Sequence, residues 1–486
     1  MTTKRSVLLP NLFEDLEDLF PLIEEERFAK RTLKSYNIVR FIASGSYNCT
    51  HLVENNDGSL EVLRVAFLPL QEEQSTANDR VRRGLEIVNI FQPFASLLGP
   101  SLLKQTQPYE IVSEISSEGL CNEILRELAK ADHWHIPYEF AIQHLEYLNG
   151  GNFRSTADMT IEEADFCTFS LIWFLRQAQL NFDFRHRDLK PENIVLKQKQ
   201  TSDVYEFYTD LNLFRFVSTV VPVIIDFDFA TVLTSERDSD KQVVGTRYTA
   251  SPDSLIYLLF DYVNIKVDPA ESPASFQSYD WWSLGIILFE VHVPRYLLPL
   301  QRIDFKLYNV WREECNAYAM RKIREFQLRF NNGDELPNAN DMFEIFKRII
   351  FGTMIASIVH GNETFGPLLE TKSNYPFAKF FFYHNQQDAA AIRKTRVYKI
   401  LVDAFAEFPA HLQGILRLLL SWDPETRKQS VVEDEYFTKI YGNNSESDVM
   451  DDETQNVFVY LDEFEDARDF DRAMDVKMFP RLKNKI

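Results

Sequence analysis

His186-Arg187-Asp188-Leu189-Lys190-Pro191-Glu192-Asn193 is the stretch that decides how this chain is read. Within eight residues it sets a carboxylate at Asp188, an ammonium two positions on at Lys190 and a carboxamide at Asn193. A surface loop of mixed charge is the bland alternative, and so many consecutive matches to one catalytic pattern argue against it. Upstream, FCTFSLIWFLRQAQLNF at 166–182 reads as a helix. Downstream, the apolar strand VPVII at 221–225 leads into Asp226-Phe227-Asp228.

The chain has 486 residues, enough for one or two full cores, with 45% hydrophobic and 26% charged residues. That is the balance of an ordinary globular protein. A formal net charge of −21 argues against nucleic acid or an anionic membrane as a general partner. Cys49, Cys121, Cys167 and Cys315 lie far apart without metal-ligand spacing, the usage of a reducing compartment. Cys49 reads as a small apolar residue rather than a reactive thiol. No signal-peptide core and no apolar run of spanning length occurs, so the expected location is soluble and intracellular.

Residues 1–35 form an N-terminal extension carrying LFEDLEDLFPLIEEERFAKRTLK, whose apolar spacing predicts an amphipathic helix. From Tyr36 the pattern is strand-like. The Asp57-Gly58 dipeptide between two alternating runs predicts a hairpin. DRVRRGLEIVNIFQPFASLL (79–98) reads as a helix and FAIQHLEYLNGGNF (140–153) as a further strand. From about Thr160 the chain reads mainly helical. Strands first and helices afterwards indicate two lobes. Stretches 111–135, 198–221 and 320–400 read as insertions. The last segment, 441–486, is an acidic tail, with twelve acidic against two basic residues between Tyr441 and Val476. Such a block is either a solvated tail or a docking segment for a basic partner, while the N-terminal helix is expected to pack on the neighbouring domain, with docking of a partner as the alternative.

Taken together, these motifs resemble the eukaryotic-type protein kinase family over about residues 36–440. The resemblance implies an α+β bilobal protein kinase fold: a small antiparallel β-sheet lobe over 36–150 and a larger, mainly helical lobe over 151–440. ATP would lie in the cleft between them. In the family's terms Asp188 is the catalytic base toward a substrate hydroxyl, Lys190 neutralises the transferring phosphoryl group and is the residue of the Ser/Thr type, and Asn193 holds a metal ion. Asp226 is the second Mg²⁺ ligand, with Asp228 as the alternative that fits the preceding strand less well. Asp228 stands where the pattern has glycine and either stiffens the segment or adds a carboxylate near the metal. The implied substrate is a protein carrying serine or threonine.

The small lobe departs from the pattern. The phosphate-covering loop reads Ala43-Ser44-Gly45-Ser46-Tyr47-Asn48, keeping only its middle glycine. The resemblance puts Ile42, Ala43, Gly45, Asn48 and Thr50 around the nucleotide. Arg64 in Glu61-Val62-Leu63-Arg64 stands where the phosphate-binding lysine belongs, an exchange that is not conservative. Glu86, the only glutamate between Glu73 and Glu110, is the expected partner of Arg64. Backbone groups of Glu146 and Leu148 are expected to meet adenine.

Later motifs separate the chain from kinases of small molecules. Gly245-Thr246-Arg247-Tyr248 resembles the substrate-docking stretch, and Ser251-Pro252-Asp253 ends the activation segment. Asp280 resembles the buried anchor of the catalytic loop, and Arg427 the arginine that pairs with Asp253. Arg187 suggests activation by phosphorylation at Thr231, Thr234, Ser235 or Ser239, unless Glu236 and Asp238 supply the charge. The many phenylalanines and the insertions resemble kinases of large DNA viruses, without a diagnostic motif.

Overall fold

The structure is a computed structural model that describes residues 37–44, 48–69, 75–112, 138–153, 159–208, 213–232, 249–252, 254–255, 258, 277–301, 320–321, 323–325, 328, 339–361, 396–421 and 427. The N-terminal extension, the acidic tail, Gly45, Thr246 and Asp253 lie outside these residues.

Five strands form one antiparallel sheet: β1 (Asn37–Ser44), β2 (Asn48–Glu54), β3 (Leu60–Pro69), β4 (Gln105–Val112) and β5 (Tyr138–Glu146), in the order β1-β2-β3-β5-β4. The predicted Asp57-Gly58 turn joins β2 to β3. Gly58 takes φ 82, which glycine adopts without strain, and Asp57 accepts from the Ser59 amide at 2.9 Å. β3 is central and apolar on both faces. Leu63, Val65 and Phe67 pack with Cys49, Val53 and Ile142 on one side. Ala66 and Leu68 pack on the other against Val81 and Leu85 of helix α1 (Ser75–Phe91). The alternation of strand side chains therefore puts Arg64 on the face that carries α1. Cys49 is fully buried, as a small apolar residue would be.

Helix α2 (Ile161–Phe182) is buried nearly all round and carries the main core. A capping box starts it: the Glu163 amide donates to Thr160 Oγ1 at 3.2 Å and the Thr160 amide to Glu163 Oε2 at 3.0 Å. Asp183 ends it in the left-handed conformation, directly before the octapeptide.

Within the stretch 198–221, expected as an insertion, residues 198–208 and 213–221 belong to the paired strands of a long hairpin, β6 (Ile194–Tyr208) with β7 (Leu213–Ile224), in a two-stranded sheet. Its aromatics stack on α2: Phe166 with Tyr205 at 4.6 Å, and Phe169 with Phe207 and Phe216 at 4.8 Å each. Part of the stretch 320–400, also expected as an insertion, is helical. Residues 339–360 form helix α4, whose Ile345, Phe346, Ile349 and Ile355 belong to the main core. Helix α3 (Gln277–Gln301), α5 (Arg396–Ala406) and α6 (Ala410–Leu419) complete the helical layer. Among the described residues no helix is long and apolar enough to cross a membrane.

Candidate active site

The octapeptide forms a loop ended by a 3-10 turn at Pro191–Asn193. Arg187 sits at φ 65, a strained conformation for a long side chain that persists only when its surroundings impose it. Asp280 of α3 imposes it: the amides of His186 and Arg187 donate to its two oxygens at 2.6 and 2.9 Å. Burial pushes the Asp280 carboxyl above its ordinary range, while His186 and the two amides pull it back. The anchoring role expected of Asp280 is thus seen directly.

Within the loop, Lys190 Nζ donates to Asp188 Oδ2 at 2.7 Å. Asn193 Nδ2 donates to the Asp188 carbonyl at 2.9 Å and to Oδ2 at 3.3 Å. These bonds assign the Asn193 side-chain amide orientation and leave its Oδ1 as the atom a cation would take. The Ile225 amide donates to the Asn193 carbonyl at 2.9 Å, which sets Asp226 beside the catalytic loop. Asp226 also has positive φ, 65. His186 Nε2 donates to the Ile225 carbonyl at 3.1 Å, so its Nδ1 is the acceptor facing the Asp188 amide at 3.4 Å. Its ring lies 5.5 Å from that of Phe227, which also meets Phe184 and, from α1, Phe91. Asp188, Lys190, Asn193 and Asp226 are therefore held by one continuous set of buried contacts.

The oxygen donors of Asn193 and Asp226 are of the hard type that Mg²⁺ takes, and two protein ligands suit an ion completed by phosphates and water. Among the described residues no group of three or more His, Cys, Asp or Glu could hold a metal alone.

On the sheet, the register Ala43↔Thr50, Thr50↔Arg64 and Arg64↔Gln143 puts these four in one row across neighbouring strands. Cross-strand partners share a face, so the row brings three expected nucleotide residues together. Ile42 and Ala43 are exposed on β1, and Asn48 is half-buried. Glu146 at the end of β5 is tied down on three sides. Its amide donates to the Lys104 carbonyl at 3.1 Å, its Oε1 accepts from the Lys104 amide at 3.0 Å, and Oε2 pairs with Lys197. The Glu146 amide is thus engaged within the protein. Leu148 packs on the main core, and the Gly150 amide donates to the Leu196 carbonyl at 2.8 Å, clipping the interlobe segment to β6.

The expected Arg64–Glu86 pair is corrected. Arg64 gives its Nη2 to both oxygens of Asp228, at 2.7 and 2.6 Å. Burial works against the Arg64 charge, but the Asp228 and Asp226 carboxylates outweigh it and hold its pKa above the usual value. Burial likewise raises Asp228; Arg64 opposes the rise, and Asp226 and Asp188 reinforce it. A guanidinium stays protonated, so Asp228 decides the charge of the pair. Glu86, half-buried on α1, has contacts of its own elsewhere. A second correction concerns Thr231. It is 1% exposed and exchanges both backbone hydrogen bonds with Arg185, so it is no accessible phosphorylation site in this arrangement. Arg427 is fully buried, donates to the Ser421 carbonyl at 2.9 Å and lies 5.3 Å from the Trp282 ring.

Sequence reasoning missed Asp228 as the partner of Arg64, and Gly84 beside it. A signal existed: glycine inside a helical pattern costs about 1 kcal/mol relative to alanine and calls for a packing reason.

Comparison with known proteins agrees with this geometry. Residues 129–437, more than half of the chain, match the family described as Protein kinase domain. No curated protein matches the chain. Nothing in these comparisons supports the viral likeness. The match begins after β4, so strands β1 to β4 and helix α1 precede it.

Proposed function

The chain belongs to the protein kinase domain family, and on that premise we propose that it is a serine/threonine protein kinase acting with MgATP. The observation that carries this reading is the Asp188–Lys190–Asn193 cluster, locked by Asp280 from α3. Phosphoryl transfer asks mainly for positioning and charge neutralisation, and this loop offers both.

In the proposed mechanism the Asp188 carboxylate accepts the proton of a substrate serine or threonine hydroxyl as that oxygen attacks the γ-phosphorus, while the bond from the γ-phosphorus to the oxygen of the β-phosphate breaks and ADP leaves. Lys190, 2.7 Å from the same carboxylate, balances charge on the phosphoryl group in flight. Asn193 and Asp226 would hold Mg²⁺, which supplies charge neutralisation on the phosphate oxygens. Arg64 presents a fixed cation to the nucleotide phosphates from β3. The sheet row of Ala43, Thr50 and Arg64 covers the phosphates, and the Glu146 carbonyl with Leu148 receives adenine.

Transfer of labelled γ-phosphate from ATP to the protein itself, or to a basic Ser/Thr peptide, tests the proposal. Signal in the wild type that disappears in Asp188→Asn and Asp226→Asn supports it; signal unchanged in both variants would sink it. A second reading, a scaffold that binds nucleotide without transfer, draws on the engagement of Arg64 by Asp228. MgATP binding without transfer by the wild type would favour that reading.

A further inference from the structure

In the family pattern the strand cation is held by a glutamate on the first helix, and the residue two after the metal aspartate is glycine. This chain carries the opposite arrangement at both places. The helix residue that meets the segment after Asp226 is Gly84. A Cβ there would stand 2.9 Å from Asp228 Oδ1 and 3.0 Å from the Asp228 nitrogen. Only glycine lets the helix backbone come so close. Asp228 fills the space a side chain at 84 would take, and both its oxygens reach Arg64 Nη2. The pair is shielded, with side chains 12% and 17% exposed, so its attraction is little screened by water. Glu86 lies two residues past Gly84, about 200° around the helix, and cannot share that face.

We propose that the carboxylate positioning the phosphate-binding cation has moved from the helix to Asp228, with Gly84 as the complementary change that admits it. Asp228 is then a positioning residue acting through Arg64. The exchange ties β3 directly to the segment that carries Asp226, so the cation and the metal ligand shift together. Displacement of α1 alone does not release Arg64.

The inference rests on the reading of this cleft as a MgATP site, and a double-mutant cycle separates the two. The affinity of the full chain for a fluorescent, non-hydrolysable ATP analogue with Mg²⁺ is measured in wild type, Asp228→Asn, Arg64→Met and the double variant. Melting temperatures check that each is folded. Loss of a charge-assisted hydrogen bond predicts about a tenfold fall for Asp228→Asn in the wild-type background. No further loss is expected once Arg64 is Met. A stiffening role for Asp228 would instead give equal losses in both backgrounds, and that result overturns the proposal. So does the absence of any loss, or of any analogue binding by the wild type. Coupling without phosphate transfer would overturn the kinase reading and leave this inference standing.

Discussion

The catalytic loop and the small sheet solve the same kind of problem by different means. Around Asp188 the residues are local. Lys190 and Asn193 reach it across two and five positions, and the distant side chains of Asp280 and Thr249 anchor the loop backbone. On the sheet, Arg64 depends on Asp228, 164 residues away, and on a glycine in a third element. A local cluster with a fixed turn leaves little freedom to vary. A cation fixed by long-range pairing can be re-paired, provided that the new carboxylate finds room. The family match, residues 129–437, takes in the catalytic loop and, of the sheet, β5.

If the loop is the chemical centre, Asp188→Asn gives the largest effect. Removal of a general base from a charge cluster that acts as a unit lowers kcat about 10²–10⁴-fold. Quenched-flow or steady-state phosphotransfer reads it.

Asp280→Ala tests whether the distant anchor belongs with the loop. It leaves two buried amides without acceptors, which costs about 1–3 kcal/mol each. The expected outcome is a lower denaturant midpoint together with a lower kcat, and a folded variant with normal kcat would detach the anchor from the loop.

Arg64→Lys sharpens the other side of the comparison. If the sheet were merely a degraded copy, the family's own residue would improve ATP affinity. With the carboxylate now at Asp228, the shorter ammonium loses its fit, and ATP affinity falls about 3- to 10-fold.

The smallest effect on catalysis is expected away from both centres, in the seam between α2 and α3. The Thr168 hydroxyl donates to the Ala164 carbonyl, so it accepts from His292 Nε2 at 3.0 Å. Burial lowers the His292 pKa to about 3, with Arg295 and His411 adding to the shift. The folded state therefore binds fewer protons than the unfolded one. The stability that neutral His292 contributes is complete above about pH 6.5 and is lost by about 1.4 kcal/mol per unit as pH falls toward 3. His292→Gln should flatten that acid limb in thermal melts.

The division also explains what could be read in advance. The loop motif, α2 and the Asp57-Gly58 turn were legible because short-range pattern sets them, whereas the anchoring by Asp280, 94 residues from His186, was expected only through the family resemblance. Thr160 with Glu163 carried a capping signature besides. β4 was not, since QTQPYEIV is polar at its start and contains Pro108; an edge strand tolerates that proline because one side of it needs no partner. The β6–β7 hairpin hid behind the polar run 197–203, where the strand pairing also shifts register. Its period-2 aromatics, Tyr205 with Phe207 and Phe214 with Phe216, did carry the signal. The Arg64–Asp228 pair was beyond any local pattern, because Glu86 offered a nearer carboxylate on the wrong face of α1.

The most direct test is to measure kcat and KM for ATP side by side in wild type, Asp188→Asn and Arg64→Met. The account predicts that Asp188→Asn loses kcat with KM for ATP nearly unchanged, while Arg64→Met raises KM for ATP about 10- to 100-fold with a smaller change in kcat. Wild-type kcat in Asp188→Asn, or an unaltered KM for ATP in Arg64→Met, would contradict it.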